Sequence, residues 1–204
     1  MKKLAYLFIA ITFIAFSSCS DNDSDPKGAG KTLNYYIDAS SKTTWHYFSL
    51  KSGKEVGSGE ETDVDNKKWF ASNDWDFAVC RYAIRTNSGA ATSIGSTGGI
   101  YTCEEGVKFT ALKTVPNGAI FTVDKAVEIS GHGKSGEIIK STAQVITFKA
   151  NEDGSLVMPP VYLQSPVYIF KTADGKKVYK INFTQYINDD GISGHVKFEF
   201  AILY

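Results

Sequence analysis

The sequence predicts an all-β protein, an antiparallel, sandwich-like single domain. Three observations carry the fold class. From Leu33 onward the chain holds 23 aromatic residues against six leucines, a composition that favours strands. Apolar and polar residues alternate with a period of two in several segments, as half-buried strands require. Gly, Asp and Pro punctuate those segments at turn-like intervals, and no amphipathic run is long enough for a helix.

The first element is not part of the fold. Met1-Lys2-Lys3 is followed by the apolar run Leu4 to Phe16, about 13 residues where a membrane-spanning helix needs about 20. Residues 1–18 therefore read as a secretory signal peptide. Phe16-Ser17-Ser18-Cys19 resembles a bacterial lipobox, with Phe16 in place of the more usual leucine. Cys19 is then the lipidated N-terminus, and its acyl chains the membrane attachment. Residues 19–32, with Asp21, Asp23 and Asp25 set among small polar residues, form a solvated tether that no core could include. An acidic stretch at this place also resembles a surface-export signal of Gram-negative lipoproteins.

The folded part spans 33–204. Its strand candidates are Tyr35–Asp38, Trp45–Leu50, Trp75–Ile84, Ala119–Val123 and Val145–Phe148, the last followed by the turn Glu152-Asp153-Gly154. Tyr168-Ile169-Phe170 then turns through Asp174-Gly175, a dipeptide that tolerates positive φ, into the alternating strand Tyr179, Ile181, Phe183. The chain ends on a second alternating strand, Val196, Phe198, Phe200, Ile202. No fixed-period repeat and no proline-rich linker divides it.

Charge excludes some functions. The 22 basic and 22 acidic side chains balance, and loss of Lys2 and Lys3 with the signal peptide leaves the remainder slightly acidic, so nothing favours nucleic acid. Cys80 and Cys103 remain once Cys19 is acylated. An oxidising compartment permits a bridge between them, and a buried thiol suits the apolar run around Cys80 equally. No zinc-ligand spacing occurs.

Few residues recommend an enzyme. The three histidines are His46, His132 and His195, and no nucleophile elbow or metalloprotease helix motif accompanies them. Gly95-Ser96-Thr97-Gly98-Gly99 lacks the lysine of a phosphate loop. Glu104-Glu105 and Asp189-Asp190 read as solvated charge, because neighbours on a strand point to opposite faces. His46 and His195 read as sheet-surface residues. Trp69 and Trp75 belong to the core by default, the alternative being stacking platforms of a glycan-binding or adhesin-like surface lipoprotein.

His132 and Met158 differ. His132 lies in the glycine-flanked stretch Ile129–Gly136, read as an exposed loop. Met158, about 26 residues on, is the one methionine after the signal segment and precedes Pro159-Pro160. Taken singly, the first is a solvated histidine and the second a core methionine. Together they are the two neutral ligand types that haem iron accepts on its opposite faces.

Three separated stretches, Trp45–Leu50, Trp75–Gly89 and Pro166–Lys176, together resemble the HmuY family of haem-binding outer-membrane lipoproteins, and Phe183–Tyr186 and Gly194–Phe198 continue the likeness. The resemblance implies an all-β haemophore rather than an enzyme. Such a protein takes haem from host haem proteins and passes it to a TonB-dependent outer-membrane receptor. It further implies two axial ligands, His or Met, from separate segments of the C-terminal half, and this pattern falls on His132 and Met158. Cell-surface exposure at the outer membrane, with membrane contact only through the lipid anchor, follows from the same resemblance.

Overall fold

Two antiparallel sheets follow from the alternation, and each buries one face against the other. The computed structural model describes residues 30–60, 68–93, 95–131, 134–141 and 143–204. The signal peptide, Cys19 and most of the tether therefore lie outside the described residues.

The larger sheet has the order β1-β13-β12-β11-β6 and is built from β1 (Leu33–Asp38), β6 (Gly99–Thr102), β11 (Tyr168–Lys171), β12 (Val178–Ile187) and β13 (Ser193–Leu203). The smaller has the order β3-β2-β4-β5, from β2 (Thr44–Ser49), β3 (Lys54–Glu60), β4 (Phe77–Cys80) and β5 (Ala83–Thr86). Phe48 and Phe77 of the smaller sheet meet Phe170, Phe198 and Phe200 of the larger, with ring centroids 5.1 to 5.6 Å apart. Ile37, Val79, Tyr179, Ile181 and Phe183 complete this central layer. Offset and edge-on aromatic pairs of this kind add to the stabilisation from burial itself.

The outer faces are also partly covered. Ile169, Ala201 and Leu203 of the larger sheet lie beneath the segment that carries Cys103 and Phe109. Lys180 Nζ fixes that segment by donating to the carbonyls of Phe109 and Leu112, each at 2.8 Å. Burial lowers the Lys180 pKa from its ordinary value. Trp45, Tyr47, Trp75, Ala78 and Cys80 form a third cluster on the far side of the smaller sheet, joined by Trp69, whose ring stacks on Tyr47. Cys80 and Cys103 thus sit on opposite outer faces, and neither is in a disulfide.

The Trp75–Gly89 block is a structural corner. Asp76 accepts from the Leu50 amide at 2.7 Å and the Ala173 amide at 2.9 Å, tying the two sheets at one end. Asn87 donates to the Ser72 and Trp75 carbonyls, and Thr86 donates through both N–H and hydroxyl to Asp124. The glycine-rich stretch closes on the same corner: a Cβ on Gly98 would lie 2.1 Å from the Asn87 carbonyl oxygen, so glycine is required there for close approach rather than for phosphate.

Several expected elements need correction. Trp75–Ile84 is not one strand but the hairpin β4–β5, turned at Arg81, whose φ is 55°. The Arg81 guanidinium compensates by donating to Ser40 and Ser193. Ala119–Val123 contributes only an isolated bridge between Thr122 and Ile100. Ile129–Gly136 is not a loop, since strand pairing runs through it on both sides of His132 and Gly133. β3 escaped notice because its glycines break the apolar pattern. At Gly57 a Cβ would fall 2.3 Å from the Trp69 ring, so the residue that hides the strand also admits the tryptophan.

Phe77→Ala removes the ring that joins both sheets, and should lower unfolding stability by about 3–5 kcal/mol in a urea titration. A loss below about 1 kcal/mol would show that the central layer closes around the cavity.

Candidate ligand site on two ribbons

Four further strands belong to neither sheet. β7 (Lys125–Gly131) and β8 (Lys134–Lys140) pair only with each other, as do β9 (Ile146–Phe148) and β10 (Tyr162–Gln164). The first ribbon pairs Val127 with Ile138 and Ile129 with Gly136, and ends with Gly131 opposite Lys134. His132 falls between those partners and lies outside the described residues. At the ribbon's root is a cleft of about 410 Å³ lined by Trp45, Ile84, Arg85, Val127, Ile139 and Lys140. The Arg85 guanidinium stands 3.9 Å from the centre of the Trp45 ring.

The second ribbon is short, but its connection is long and ordered. Lys149 N donates to the Val161 carbonyl at 2.9 Å and Val157 N to the Lys149 carbonyl at 3.0 Å, while Ala150 bridges Leu156. These bonds carry Met158 on the crest of the ribbon, 75% exposed. It is not the core methionine that its type alone suggests. Leu156, Val161, Tyr162 and Leu163 are exposed beside it. Five such side chains fall within eight residues of one ribbon, with Tyr162 and Leu163, neighbours on β10, on its opposite faces.

Beneath the ribbon lies a cleft of about 300 Å³, with Ile146 and Phe183 among its floor residues and Tyr162, Leu163, Tyr186 and Ile187 around them. Register shifts in β12 between Phe183, Gln185 and Ile187 re-aim the side chains there. Tyr82, Phe148, Tyr162 and Tyr186 form a chain of near-perpendicular rings, with successive centroids 5.1, 5.5 and 5.7 Å apart. Burial raises the Tyr186 pKa, so that hydroxyl stays neutral. The backbone positions this cluster, because Val145 N donates to the Tyr82 carbonyl at 2.9 Å and so holds the start of the ribbon on the β4–β5 turn.

The remaining candidates are structural. His46 Nδ1 lies 2.9 Å from Glu55, and His195 Nδ1 lies 2.6 Å from the Tyr36 hydroxyl, both on sheet surfaces. Trp75 is fully buried and Trp69 half-buried, so neither offers the open face a glycan platform needs. Glu104, Glu105, Asp189 and Asp190 are exposed. Among the described residues no three His, Cys, Asp or Glu side chains converge as a metal site, and no helix is long and apolar enough to cross a membrane. A larger cleft, about 780 Å³, lies beyond β10 against Asn182 and Glu199 of the outer sheet face, with Leu163 lining it from the ribbon.

An antiparallel sandwich that sends two ribbons beyond its sheets, one bearing an exposed apolar crest, is the class of protein this fold defines. Residues 41–200 match the family model described as HmuY protein, and the chain belongs to the HmuY family. A Bacteroides vulgatus structure designated an HmuY-like haem-binding protein is similar, at 23% identity and a TM-score of 0.59, covering 87% of this chain and 94% of that one. A Bacteroides fragilis structure designated a lipoprotein gives 23% identity and 0.57, covering 85% and 90%. The apo HmuY analogue of Tannerella forsythia gives 19% and 0.54, covering 86% and 98%. No curated protein sequence matches this chain.

The exposed crest yields a direct test. Leu156→Ser and Val161→Ser should reduce binding of an apolar fluorescent dye while leaving stability within about 0.5 kcal/mol, since both side chains are solvent-facing. Unchanged dye binding would place the accessible apolar surface elsewhere.

Proposed function

We propose that this chain is a haem-binding lipoprotein, a haemophore, with His132 and Met158 as the axial ligands of the iron. The observation that carries the reading is the exposure of Met158 among apolar side chains of its ribbon. Family membership supports it. Haem presents a large flat apolar surface, which the crest side chains would cover while the two ligands fix its orientation. As the bound ligand, haem supplies the iron that these two side chains coordinate. Met is a soft ligand that favours ferrous iron and raises the potential relative to two histidines, so this protein holds haem better when reduced than when oxidised.

In this reading residues 1–18 direct export, lipidated Cys19 anchors the chain in the outer membrane, and residues 19–32 hold domain 33–204 away from the surface. Haem captured from host haem proteins passes to a TonB-dependent receptor. The protein performs no covalent chemistry.

Titration of the mature chain with haemin, oxidised and then with dithionite, tests the proposal beside His132→Ala and Met158→Ala. The expected result is a saturable six-coordinate spectrum in the wild type that becomes five-coordinate or disappears in both variants. Binding unchanged in the variants would discard the ligand pair, and no spectral change at all would discard haem binding. Because imidazole must be neutral to ligate, affinity should fall as pH drops below about 6.5, by up to about tenfold per unit. A flat profile from pH 7.5 to 5 in the wild type would rule out the histidine.

A further inference from the structure

The sulfur atoms of the described chain divide sharply by exposure. Cys80 is 6% exposed and Cys103 4%, each packed in an outer-face cluster. Cys80 Sγ is also 3.9 Å from the Ser41 carbonyl, and burial keeps the Cys103 thiol protonated by raising its pKa. Thiolate is the reactive form of cysteine, so both thiols are shielded in access and Cys103 in chemistry as well. Met158, by contrast, is 75% exposed on the ribbon crest, and thioether oxidation requires no deprotonation.

We infer that Met158 is an oxidant-sensing release site, at which a peroxide converts the thioether, while it is off the iron, to a sulfoxide and abolishes its return as a haem ligand. The inference rests on the haem-binding reading above. In the step, a sulfur lone pair attacks one peroxide oxygen and the O–O bond breaks as the S–O bond forms. The departing hydroxide takes up the remaining proton and leaves as water. Sulfur loses two electrons and the peroxide gains them. The product replaces a soft apolar donor with a polar, chiral group among Leu156, Val161 and Tyr162, which opposes both iron ligation and apolar contact. Because the sulfoxide is reducible by methionine sulfoxide reductases, the release is reversible and the polypeptide is preserved.

The folded mature chain, free of haem, is treated with hydrogen peroxide, mapped by mass spectrometry and then titrated with haem under dithionite. We expect one added oxygen on Met158 and none on Cys80 or Cys103. Haem affinity should drop about tenfold or more, as loss of a ligand costs at least what loss of its supporting partners does, and a sulfoxide reductase should restore it. Met158→Leu serves as the control, gaining no oxygen and showing no further loss on treatment. Oxidation falling first on a cysteine, or haem binding unchanged with Met158 oxidised, overturns the inference alone. Failure of the untreated chain to bind haem overturns the haem reading as well.

Discussion

The aromatic layer between the two sheets is the constraint on which everything else rests. Phe77 touches Phe48 on its own sheet and Phe170, Phe183 and Phe198 on the other. A strand that slipped by one residue would turn its aromatics outward, so this layer sets the register of β2, β4, β11, β12 and β13 together. The corner at Asp76 and Asn87 then closes one end of the sandwich with hydrogen bonds rather than apolar contact. The second ribbon adds to this core at its base, where Ile146 is buried in it and Phe148 packs against it.

Beyond those residues the second ribbon stands outside the central core, and no residue of β10 belongs to it. An isolated two-stranded ribbon is marginally stable in water and gains order from whatever packs on it. β7–β8 and β9–β10 pair with no sheet strand, yet each is tied to the sandwich at its base, through Gln144 bridged to Ala83 and Val145 bonded to the Tyr82 carbonyl. The result is a sandwich that carries two ribbons outside its sheets. Elements of low local stability are where ligand capture is compatible with a fixed core.

Legibility in the sequence followed the same division. Strands with one buried face, such as β12 and β13, were plain from their alternation, and so was the Asp174-Gly175 turn, where Gly175 has a φ of 70°. β4 and β5 fused into one reading because both of their faces are buried, which leaves no polar beat, and because the turn uses Arg81 instead of glycine. The first ribbon read as a loop because glycine and serine, needed near its end, resemble loop composition. The aromatic cluster under the second ribbon was not legible at all, since Tyr82, Phe148, Tyr162 and Tyr186 come from four separate segments and meet only through the β12 bulges. Met158 stood out by rarity, but its exposure belongs to the backbone bonds of residues 149–161 and could not be read from its neighbours.

A site carried on arms has a different energetic character from one sunk in a core. A deep pocket retains its ligand by burying most of its surface, and release then requires the pocket to open. Here the apolar area around Met158 faces solvent, and the cleft beneath it is small, about 300 Å³. In the proposed haem reading this apolar cover is therefore open to solvent, and the bonds from the two ligating side chains fix the orientation of the ligand. Changing the proton on an imidazole or the oxidation state of a thioether acts on those bonds directly, while the aromatic layer lies elsewhere and is untouched. Under that reading, retention of the ligand can be altered at one or two atoms with the fold held constant.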